Sequence, residues 1–96
     1  MDESTVDALP VPRRQVPPKI PTRAAAKGIT GSVTLSFQVG ADGRVSAPRV
    51  VAVEPAEARI YEEASVAAVR QWEFEPATYD GRPVSMRATY TLEFGR

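Results

Sequence analysis

Two carboxylates, Glu73 and Glu75, flank Phe74, and a second pair, Glu62-Glu63, precedes an alanine-rich stretch. Paired carboxylates do the acid–base work of a hydrolase when they oppose each other across a substrate and their environments push their pKa values apart. Glu73 and Glu75 instead share the polar face of an extended segment. Glu62-Glu63 suits the first turn of a helix, where the macrodipole favours negative charge. Trp72 offers a ring for stacking, but its position at a helix end on the apolar side makes it a core residue. The chain has no Cys and no His. That removes thiol nucleophiles, disulfides, Cys/His zinc sites and the Ser-His-Asp arrangement. The chemistry left points to a binding domain and not an enzyme, with no cofactor and no metal expected.

Charge narrows the partners. Twelve Lys and Arg balance 12 Asp and Glu over 96 residues, a formal net charge of +0. Phosphate backbones require a cationic surplus on one face, so nucleic acid is not expected as a partner. Arg13-Arg14 is a short basic pair of the kind that serves solubility. No apolar run approaches the ~20 residues that cross a bilayer, and no secretory apolar stretch follows Met1, so the chain reads as a soluble piece. Its length allows one small domain with a thin core.

Five of the nine prolines, Pro10, Pro12, Pro17, Pro18 and Pro21, precede Thr22. Residues 1–19, with Asp2, Glu3, Asp7, Arg13 and Arg14, therefore read as an extended, semi-rigid arm at the end of a longer spacer, and residues 20–96 as the folded domain. Pro21 suits a first helical position, Arg23 to Lys27 favour helix, and Gly28 supplies the stop. A first strand follows, with Val33, Leu35, Phe37 and Val39 on one face and Ser32, Thr34, Ser36 and Gln38 on the other. Gly40-Ala41-Asp42-Gly43 turns the chain into a second strand, about 44–53, which Pro48 confines to a sheet edge with a bulge. A helix over about 56–71 buries Tyr61, Ala64, Ser65, Ala68, Val69 and Trp72. Asp80-Gly81 is a turn, and a long third strand runs over about 83–94 with Val84, Met86, Ala88, Tyr90, Leu92 and Phe94 inward.

The fold expected is α+β: a three-stranded antiparallel sheet in the order 2-1-3, with two helices on one face. The first strand is central, and the helix makes a right-handed crossover from the second strand to the third. The third strand is then a long edge without internal proline. Such edges recruit other chains unless they are blunted or covered, and the Pro-rich arm is one candidate cover. Left open, the edge suits β-augmentation.

Several elements occur together in this order: Ile20-Pro21, Gly28-Ile29-Thr30-Gly31, Phe37-Gln38-Val39, Asp42-Gly43-Arg44-Val45, Trp72-Glu73-Phe74-Glu75-Pro76-Ala77 and Asp80-Gly81-Arg82-Pro83-Val84. Together they resemble the C-terminal domain of the TonB family, over about 17–96. The resemblance implies a periplasmic domain at the end of a Pro-rich spacer, in a protein anchored in the inner membrane. ExbB-ExbD would act through the missing N-terminal part. It also implies capture of the TonB box of outer-membrane TonB-dependent transporters as an added strand, so that a pull admits siderophore, cobalamin or similar cargo. Carried over, the box-binding edge is Ser85, Met86, Arg87, Ala88, Thr89, Tyr90, Thr91, Leu92 and Glu93. The contacts to box and plug are Pro17, Pro18, Ile20 and Arg23. Two departures stand out: Ile20-Pro21 replaces the usual Tyr-Pro, and Pro17-Pro18 replaces an upstream Gln-Pro, which removes a side-chain amide contact. Two third strands could also pair into a homodimer, an alternative to the monomer that the arm favours by shielding that edge. The competing reading is a TolA-like or cell-wall-binding periplasmic scaffold.

Overall fold

The structure, a computed structural model, describes residues 6–95. The part of the expected arm that includes Asp2 and Glu3 lies outside them. The central sheet has three strands: β2 (Gly31–Val39), β3 (Val45–Glu54) and β7 (Met86–Phe94), in the order β3-β2-β7 and antiparallel throughout. This is the 2-1-3 order expected. The alternation in β2 sets it, because Val33, Leu35, Phe37 and Val39 are buried and turn one face of the sheet into the floor of the core.

Two helices lie on that floor. The shorter, α1 (Thr22–Lys27), buries Ala24 and closes at Gly28, whose left-handed φ of 63° lets the Gly28 and Ile29 amides bond the Ala25 and Ala24 carbonyls. Pro21 is the residue before this helix, not its first position. The second helical segment differs from the single helix expected over 56–71. Residues Ala56–Tyr61 form a 3-10 helix and Glu62–Arg70 form α2. The tighter turn stacks residues three apart, which brings Ala58 and Tyr61 together into the core. Tyr61 lies flat on Phe94, ring centroids 4.1 Å apart, and its hydroxyl donates to the Ile29 carbonyl. Ser65 is wholly buried and spends its hydroxyl proton on the Tyr61 carbonyl at 2.7 Å.

β3 behaves as its proline requires. Among the described residues it pairs only with β2, and its register slips twice, once near Val51 and once around Ala47-Pro48, where Ala47 takes a φ of 50°. The long third strand expected over 83–94 is broken. Residues Arg82–Val84 (β6) fold back on Ala77–Tyr79 (β5) through the two-residue turn Asp80-Gly81, and β7 starts only at Met86. Both turn residues have positive φ, 53° and 77°, which matches the twist of a two-residue hairpin.

A further ribbon joins distant parts of the chain. Val11–Arg14 (β1), from the Pro-rich arm, pairs antiparallel with Glu73–Glu75 (β4). On its other side β4 meets the turn between β2 and β3, where the Phe74 amide donates to the Gly43 carbonyl at 2.9 Å. Gly43 (φ 84°) and Gly81 (φ 77°) both need left-handed backbone, but a β-carbon at Gly43 would strike the Phe74 carbonyl, whereas one at Gly81 meets nothing within 4 Å. Gly81→Ala should therefore cost about 1 kcal/mol in urea unfolding. Gly43→Ala should cost at least about 2 kcal/mol, because it adds a backbone collision to the same dihedral penalty.

Candidate functional site

Among the described residues β7 is hydrogen-bonded to a strand on one side only. Against β2 its register runs without slip from Val39↔Met86 to Gly31↔Phe94. On its other side no strand pairs with it among the described residues. In an antiparallel edge, alternate residues turn both N–H and C=O away from the ladder, so β7 presents a regular row of unpaired donors and acceptors. The strand is held straight from its outer face, where the Thr91 hydroxyl lies 2.9 Å from that of Thr34 and Arg87 donates to the Ser36 hydroxyl at 3.3 Å. From the core face, Phe94 is held by Tyr61, and Tyr90 meets Trp72 edge to face at 5.0 Å. A partly exposed tyrosine therefore marks the middle of the open edge.

The described part of the arm, residues 6–19, pairs elsewhere and not with this edge. It pairs with β4, and further toward its start the Asp7 amide donates to the Thr78 carbonyl (2.7 Å) and the Thr78 amide to the Ala8 carbonyl (3.1 Å). The glutamates that first resemble a catalytic pair hold it there: Arg13 lies 3.2 Å from Glu75 and Arg14 3.6 Å from Glu73. These carboxylates point outward on a short strand and face arginines, with no cleft between them. The Trp72 indole N–H donates to the Val16 carbonyl at 2.8 Å and fixes the point where the arm leaves the core.

Two apolar grooves flank the open edge. One, of about 540 Å³, lies between the arm at Leu9–Pro12 and the first half of β7. The other, also about 540 Å³, lies between Pro17, Pro18 and Ile20 and the last residues of β7. The fold brings Pro17, Pro18 and Ile20 together with Leu92 and Glu93 along one groove. Arg23 is exposed on α1 and lines neither groove. Ser85 falls in the break between β6 and β7, outside the paired strand, because the chain there is leaving one hairpin to enter another. The first groove was not anticipated. Its signal in the sequence was the match between Arg13-Arg14 and Glu73-x-Glu75, which pairs the arm with β4.

Comparison with known proteins agrees with this geometry. The family described as Gram-negative bacterial TonB protein C-terminal matches residues 16–95. Protein TonB of Pseudomonas aeruginosa is 35% identical over 83 residues, 86% of this chain and 24% of that protein. Protein TonB of Klebsiella pneumoniae is 34% identical over 92 residues, 94% of this chain and 35% of that protein. The chain thus spans about a quarter to a third of these relatives. The solution NMR structure of the Pseudomonas aeruginosa TonB CTD superposes with a TM-score of 0.73 at 31% identity, covering 98% of this chain and 91% of that one.

Exposed ion pairs contribute about 0–1 kcal/mol each. The double variant Arg13→Glu/Arg14→Glu should therefore leave the urea midpoint nearly unchanged. Amide exchange at residues 11–14 should accelerate in it, while that of β2 stays as slow as before.

Proposed function

This chain belongs to the Gram-negative bacterial TonB C-terminal family, and from that premise we propose that it captures the TonB box of outer-membrane TonB-dependent transporters as a strand added along β7. In this reading residues 1–19 are the end of a spacer and residues 20–96 the capturing domain. The domain works in the periplasm within a protein anchored in the inner membrane, and passes on a pull that originates at ExbB-ExbD. It is a binding and force-transmitting element, with no bond made or broken at the edge.

The observation that carries this reading is the regular, unslipped register of β7 on β2, with no strand among the described residues paired on its far side. Main-chain hydrogen bonds recognise a strand almost regardless of its side chains, so one edge serves many transporters. Each bond contributes about 0.5–1.5 kcal/mol net, too little alone to hold against a pull. Several in a row share a load directed along the strand, and they re-form once it is released. A second copy of the chain competes for the same row.

Of two neighbouring residues in β7, one directs its N–H toward β2 and the other toward the open side. Ala88→Pro and Thr89→Pro therefore separate folding from capture. The variant whose lost N–H points outward should keep its urea midpoint within about 1 kcal/mol, yet bind a synthetic TonB-box peptide at least about tenfold more weakly by calorimetry. The other should lose a ladder bond and unfold earlier. Peptide affinity equal to that of the unaltered chain in the well-folded variant would overturn the proposal.

A further inference from the structure

The groove beside the first half of β7 has one wall supplied by residues that precede the family match at 16–95. Its floor is aromatic, Phe37 and Phe74 with ring centroids 5.7 Å apart, and Tyr90 stands at one side. The far wall is Leu9, Pro10 and Pro12. Leu9 lines this groove and is 47% exposed, which leaves apolar surface free beside it.

A strand added to β7 runs about 4.8 Å from it, with side chains alternating between the two faces of the sheet. Those on the core face enter the space between β7 and the arm. Those on the outer face pass Arg87 and Thr89. Arg87 lines the mouth of the groove and donates to the neutral Ser36 hydroxyl. The ion pairs among the described residues are Arg13 with Glu75 and Arg14 with Glu73, so no carboxylate of these residues answers Arg87. The groove thus presents an apolar cavity lined also by Arg87, a cation that no carboxylate of the described residues answers.

We propose that the docked arm completes a side-chain subsite, which takes an apolar side chain of the added strand and favours an acidic residue next to it, opposite Arg87. The inference rests on strand addition along β7 and adds a source of selectivity to it. The backbone row accepts any extended segment, while the arm and Arg87 rank segments by their side chains. The arm is held by its pairing with β4, by backbone bonds to Thr78 and by two exposed ion pairs, and this ranking is present only while β1 is docked on β4.

The test uses the full 96-residue chain and synthetic TonB-box peptides in which one position at a time carries Leu, Ser or Asp, read by fluorescence anisotropy. At one position the unaltered chain should prefer Leu to Ser by about tenfold. Leu9→Ser should cut that preference to about twofold or less without altering affinity for the Ser peptide. Arg13→Glu/Arg14→Glu should abolish the preference, and adding Glu73→Arg/Glu75→Arg should restore it. Arg87→Gln should remove the advantage of Asp at the neighbouring position and leave the Leu preference intact. A Leu preference that survives both Leu9→Ser and the arm charge reversal overturns the subsite while leaving strand addition standing. Unaltered binding in the outward-facing proline variant of β7 overturns strand addition, and the subsite falls with it.

Discussion

The indole of Trp72 holds three parts of the molecule in register. Its N–H donates to the Val16 carbonyl at 2.8 Å, and its ring meets Tyr90 edge-on at 5.0 Å and Phe37 at 6.3 Å. A buried N–H left without an acceptor costs about 1–3 kcal/mol, so the course of the arm past Val16 follows from the need to satisfy this donor. Trp72 also stands between α2 and β4. The same side chain therefore fixes where the helix ends, where the arm leaves the core, and how the central tyrosine of the open strand is supported from below.

The two edges of the sheet are unlike for physical reasons. β3 is spoiled as a template by two register slips, a positive-φ alanine and Pro48, so another chain finds no continuous row of donors there. β7 has none of these defects, and its exposed outer face carries Arg87 and Glu93 near opposite ends. Single charges of this kind discourage indiscriminate stacking while leaving the backbone accessible. A sheet with one competent edge directs association to one place. In the proposed mode of capture it also separates attachment, which the backbone would supply, from choice of partner, which would fall to the grooves beside it.

The parts of this fold legible from local sequence are those in which a residue's type reports its own surroundings. Val33, Leu35, Phe37 and Val39 alternate because one side of β2 faces the core, and Asp80-Gly81 marks a turn because its backbone needs positive φ. Pro48 announces an edge because it has no proton to give. The break at Ser85 was hidden, since residues 82–94 alternate plausibly as one strand whether they pair with β2 or with β5. The 3-10 turn over Ala56–Tyr61 was hidden for a similar reason: three- and four-residue spacings both place Tyr61 inward.

Sequence by itself determined the class of fold, the central position of β2 and the edge position of β3, because each follows from periodicity, proline and turn chemistry acting within a few residues, and the family was legible in a set of motifs in a fixed order. Tertiary structure decided that Arg13 and Arg14 meet Glu75 and Glu73, that Trp72 finds its acceptor at Val16, and that Leu9, Pro10 and Pro12 of the arm wall a groove beside the edge. Those contacts join segments about sixty residues apart. Charge and hydropathy reveal that such groups require partners, but only the packed core, by fixing where β4 emerges, selects which ones they receive.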